Sequence, residues 1–127
     1  MEVNNLPILG KTMKRVWKGA YEDYEENDAL YFEQEDGEVF VLTHLQDCCE
    51  WVYIESVDGD LEDLVGAPLL MAEEAIDTNE SNYGSDGSMT YTFYKLATTK
   101  GYVTIRFNGS SNGYYSERVD WFYLLEE

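Results

Sequence analysis

The chain has 127 residues, with 26 Asp and Glu against 8 Lys and Arg, for a formal net charge of −18. Aromatic content of 15% excludes a disordered acidic tail, the length favours one domain over residues 1–127, and the charge excludes direct DNA or RNA binding, which needs phosphate-neutralising bases. No apolar run reaches the ~18 residues of a membrane span, and no basic stretch precedes an apolar one at the start, so neither a membrane nor a secretory signal is expected.

In chain order, "ALYFEQEDGEVFVLTHL" reads as two strands around Asp36-Gly37, a dipeptide suited to a type I′ hairpin turn. Val39, Val41, Thr43 and Leu45 share one face of the second strand; Phe40, Leu42 and His44 share the other. "QDCC" forms a corner before the strand "EWVYIESV". Asp60 is a good N-cap for one or two helical turns that Gly66 ends and Pro68 prevents from continuing. "PLLMAEEAI" fits a short helix or a strand, and residues 77–88 form a polar loop. "MTYTFYKLA" and "GYVTIRF" flank a hairpin turn, with Val103, Ile105 and Phe107 on one face. After "NGSSNG", Val119, Trp121, Tyr123 and Leu125 alternate in a last strand. The expected class is α+β: an antiparallel sheet of six or seven strands with a short helical insertion after the third or fourth.

Charge follows position along the chain. Residues 1–18 carry four bases and one acid; residues 19–94 carry 21 acids and no Lys or Arg; from Lys95 onward four acids balance four bases. A single-sign block steers an oppositely charged partner, and it also confers plain solubility. A basic protein that handles nucleic acid is the partner it suits.

The segment "THLQDCCEWVYI" holds the one histidine and both cysteines. His44, Asp47, Cys48 and Cys49 are four donors of the kinds zinc takes in a tetrahedron. Vicinal cysteines on an extended strand point to opposite faces, so they converge only in a turn or bulge; otherwise one ligates and an acid such as Glu50, Glu73 or Glu74 completes the shell. A thiol or metal-dependent enzyme centred on His44 and Cys48 or Cys49 is a second reading, though no distant motif supplies a partner or an oxyanion hole. The plain alternative makes one cysteine a small buried hydrophobe, with His44 capping a turn. A disulfide between neighbours strains its ring, and two adjacent cysteines suit a reducing cytosol. "GKT" lacks the glycine-rich loop of a phosphate site, and "DGDLED" lacks the glycine and the glutamate of a calcium loop.

Three blocks, "HLQDCCE", "GDLEDL" and "SNGYYS", resemble the H-x-Q-D-C-C-E, G-D-L-x-x-L and S-N-G-Y-Y-S blocks of a family of small phage and prophage proteins of unassigned function, over roughly residues 9–119. Some of that family resemble type II anti-CRISPR inhibitors that bind a metal. The resemblance implicates His44, Asp47, Cys48, Cys49 and Glu50, and implies zinc in a structural role. It also implies a non-enzymatic inhibitor in the host cell cytoplasm that binds a type II CRISPR effector nuclease and blocks its engagement of DNA. Charge would supply attraction, through Glu22, Asp23, Glu25, Glu26, Asp28, Glu73 and Glu74. Aromatics among the acids, such as Tyr21, Tyr24, Tyr31, Phe32 or Tyr83, would supply specificity.

Overall fold

A computed structural model describes residues 2–21, 28–45, 50–79, 88–111 and 117–124. Among the described residues nine strands form two antiparallel sheets. They are β1 (Glu2–Asn5), β2 (Met13–Gly19), β3 (Ala29–Gln34), β4 (Val39–Thr43), β5 (Trp51–Asp58), β6 (Met71–Asn79), β7 (Ser88–Ala97), β8 (Tyr102–Ser111) and β9 (Asp120–Tyr123). One sheet runs β1-β6-β7-β8-β5 and the other β2-β3-β4-β9. The only helical element among the described residues is a 3-10 turn, Leu61–Leu64, so the architecture is essentially all-β and the expected α+β class is corrected. No helix among them is long and apolar enough to cross a membrane.

Two-residue periodicity sets both inner faces. On β7, Thr90, Thr92, Tyr94 and Leu96 are buried while Tyr91, Phe93 and Lys95 are partly exposed. Phe32, Phe40 and Leu42 from the four-stranded sheet and Tyr94, Leu96, Val103, Ile105 and Phe107 from the five-stranded sheet join one hydrophobic cluster. A row of alternating apolar residues on each sheet therefore has only one place to go, the space between the sheets.

Several expectations change in detail. The β3–β4 connection is a three-residue loop rather than a type I′ turn. Gly37 N–H donates to the Gln34 carbonyl at 3.0 Å, Gln34 N–H donates to the Glu38 carbonyl at 2.8 Å, and Gly37 takes φ +96°, a value that favours glycine. "PLLMAEEAI" resolves as strand, because β6 pairs with β7 from Met71↔Ala97 to Asn79↔Met89. That ladder also takes residues 77–79 and 88 out of the expected loop; residues 80–87 lie outside the described set. The helical insertion follows the fifth strand and shrinks to one turn, capped as expected by Asp60, whose Oδ1 accepts from Glu62 N–H at 3.0 Å. Lys100 Nζ donates to the Val65 carbonyl at 2.6 Å just after that turn. The last strand is only Asp120–Tyr123.

The first two strands have no counterpart in the sequence reading. β1 is exposed at every position, so it carries no alternation to see. β2 has a register shift between Met13 and Arg15 that breaks its alternation.

Candidate functional site

Inward alternation along β4, through Phe40 and Leu42, continues to His44, whose side chain is 5% exposed. β9 lies beside β4 with Thr43 opposite Asp120, and this carries the chain just before β9 past the imidazole. Nδ1 of His44 stands 2.7 Å from the Arg118 carbonyl oxygen. A carbonyl only accepts, so Nδ1 holds the proton and Nε2 is left to face elsewhere. Leu45 N–H donates to Asp120 Oδ2 at 3.0 Å, fastening the same crossing a second time.

Nε2 faces Glu50, the residue before β5, at 3.3 Å from Oε2. The Glu50 side chain is 1% exposed. Nε2 is itself buried and makes no hydrogen bond, so the contact has the distance of an ion pair without its alignment. The corner thus brings together His44 and Glu50, from the ends of two strands in different sheets. Asp47, Cys48 and Cys49 lie outside the described residues, and among the described residues no group of three or more His, Cys, Asp or Glu could hold a metal ion.

Two further buried carboxylates serve the fold. Glu117 is 6% exposed and accepts from Thr90 Oγ1 at 2.8 Å and from Ser111 Oγ at 2.6 Å. Gly109 makes that approach possible, because a Cβ there would lie 2.7 Å from the Glu117 carbonyl oxygen. Glu74, also 6% exposed, accepts from the Tyr94 hydroxyl at 2.7 Å. Burial first, and then the Glu74 carboxylate, push the Tyr94 hydroxyl well above its ordinary pKa of 10.0; Asp120 adds to the rise and Arg118 opposes it.

The expected partner-binding set is redistributed. Glu74 is buried and engaged, so it is not available to a partner. Asp28 is tied down inside the fold, with Oδ1 accepting from Ile54 N–H at 3.0 Å. Tyr21 packs edge-on against Phe122, with ring centroids 5.2 Å apart. Glu73 is half-buried opposite Lys95 in register. Of the other expected anchors, Tyr31 stacks on Trp17 and Phe32 is 0% exposed in the core. Glu22, Asp23, Tyr24, Glu25, Glu26 and Tyr83 lie outside the described residues.

The single-sign field is also interrupted. Bases from the two flanking segments fold onto the acidic block: Arg15 pairs with Glu33 at 2.8 Å and Arg106 with Glu55 at 3.1 Å. A charge block that is pure in sequence is mixed by sheet pairing.

An aromatic surface is the feature the sequence reading missed. Trp51, 59% exposed, packs on Tyr53 with centroids 5.1 Å apart, and Tyr91 stacks on Phe93 at 6.3 Å, all on the outer face of the five-stranded sheet. Asn108 sits between Tyr53 and Tyr91 in register and is only 8% exposed. Arg106 lies 5.7 Å from the Tyr91 ring centroid. The signal was present as alternation in "WVYIE" and "MTYTFYK", whose outward positions are aromatic where a solvated face would be polar.

Fold and site together define a small acidic all-β domain of two antiparallel sheets, with a buried histidine-carboxylate corner and an aromatic outer face. The chain belongs to the family described as a domain of unknown function, DUF7448, whose model matches residues 6–121. No curated protein and no solved structure matches it.

Proposed function

We propose that this chain is a non-enzymatic binding protein that docks on a basic protein through the outer face of its five-stranded sheet. The observation that supports this reading is the aromatic group on that face, exposed Trp51 with part-exposed Tyr53, Tyr91 and Phe93. Clustered exposed aromatics mark interfaces, and Trp and Tyr dominate interface energies. The net charge of −18 selects a cationic partner, whose Arg and Lys side chains stack on aromatic faces. The His44 ring, 5% exposed, offers no accessible base to a substrate, which favours binding over thiol or metal-dependent catalysis.

The phage-family resemblance points the same way. The target proposed is a type II CRISPR effector nuclease, met in the host cell cytoplasm and kept from its DNA. Such an effector holds nucleic acid in positively charged channels that an acidic protein can occupy. Titration of a purified effector with the wild-type chain and with Trp51→Ala tests this. Binding that weakens at least tenfold in the variant, and again between about 0.1 and about 0.5 M salt, is expected. Equal binding by both chains, or binding indifferent to salt, contradicts it.

A further inference from the structure

We infer that the outer face of the five-stranded sheet receives an arginine side chain of its partner, whose guanidinium stacks on Tyr91 and pairs with Asp77. The inference rests on the docking reading above and adds the chemistry of the residue received. Tyr91 lies in register between Asp77 on β6 and Asn108 on β8. Its ring is braced against Phe93, with centroids 6.3 Å apart.

The face already holds one guanidinium. Arg106 has its guanidinium carbon 5.7 Å from the Tyr91 centroid and its Nε 3.1 Å from Glu55 Oε2. A ring quadrupole attracts a cation within roughly 6 Å of its centroid, and a carboxylate beside the ring neutralises that cation. Asp77 supplies a second carboxylate on the opposite flank of the same ring, at the β6 side where Arg106 is at the β8 side. Residues directly opposite on antiparallel strands have Cβ atoms roughly 4.5–5.5 Å apart, so a group lying on Tyr91 is within reach of Asp77.

Charge pairing on the face leaves Asp77 over. Arg106 has Glu55, Lys95 lies opposite Glu73 in register, and Asp77 is exposed with no cation paired to it among the described residues. An exposed carboxylate beside an aromatic ring suits a cation that is also flat. A guanidinium stacks on the ring while its N–H groups donate in a fork to the carboxylate; the compact ammonium of lysine has no plane to stack. Glu55 compensates Arg106, so the incoming guanidinium does not meet a bare like charge.

Calorimetric titration of the full chain with two synthetic peptides, alternating glycine with arginine or with lysine and equal in length and charge, tests the inference. The wild type should bind the arginine peptide about fivefold more tightly, Tyr91→Phe should keep that preference, and Asp77→Asn and Tyr91→Ala should each reduce it to less than about twofold. Equal affinity for the two peptides, or no binding of either, overturns the arginine inference; the docking reading stands or falls separately, on the Trp51→Ala titration of the effector. An undiminished preference in Asp77→Asn overturns the site. Should Tyr91→Ala fail to fold, Asp77→Asn, a near-isosteric change at an exposed position, decides alone.

Discussion

Two buried polar regions flank the same short stretch, Glu117 to Asp120, and they are built differently. On one side, the carboxylates of Glu117 and Glu74 receive hydroxyl donors from Thr90, Ser111 and Tyr94 at 2.6–2.8 Å. On the other, His44 presents a buried nitrogen without a hydrogen bond to a buried carboxylate 3.3 Å away. Folds routinely satisfy buried polar atoms, because leaving one unsatisfied costs about 1–3 kcal/mol. The first region is therefore satisfied by its own hydroxyls, while in the second His44 Nε2 is left without a hydrogen bond.

Substitutions can break that contrast. The largest effect is expected at Glu117. Glu117→Ala removes two charge-assisted bonds, from buried Thr90 and part-buried Ser111, at a cost of about 3 kcal/mol by denaturant titration. A loss below about 1 kcal/mol would mean that these bonds do little for the fold, which would erase the distinction between the regions.

Tyr94→Phe comes next. It removes one donor from buried Glu74 and should cost about 2 kcal/mol near neutral pH. It should also alter the alkaline limb of stability. The folded state favours the protonated Tyr94 hydroxyl, whose pKa is raised, so its contribution is full below the ordinary tyrosine value of 10.0 and is lost as pH rises from there toward the folded value. The wild type should lose stability on that climb more steeply than Tyr94→Phe, and parallel curves would contradict the linkage.

Trp51→Ala should have the smallest effect on stability, within about 0.5 kcal/mol, because the indole is largely exposed. A much larger loss would mean that Trp51 serves the fold, which would remove the basis for a docking face.

The sequence carried the hairpins and the inner faces well. Val103, Ile105 and Phe107 alternate into the core as their spacing requires, and Asp60 caps the turn it was expected to cap. β1 was illegible because a fully exposed edge strand has no burial pattern to imprint on its residues. The acidic block misled for a different reason. Its purity is a property of chain order, whereas Arg15 and Arg106 reach Glu33 and Glu55 through cross-strand neighbourhood. At the corner, composition singled out His44 and gave Glu50 as one possible completing acid. Only tertiary structure shows that β9 brings the Arg118 carbonyl to Nδ1, because no local spacing encodes a contact across 74 residues.

Hydrogen–deuterium exchange of the full chain, alone and mixed with a purified basic effector nuclease, bears most directly on the docking face. Slower exchange along β5 and β7, around Trp51, Tyr53, Tyr91 and Phe93, is the predicted result. Protection confined to the four-stranded sheet, or no protection at all, would contradict it.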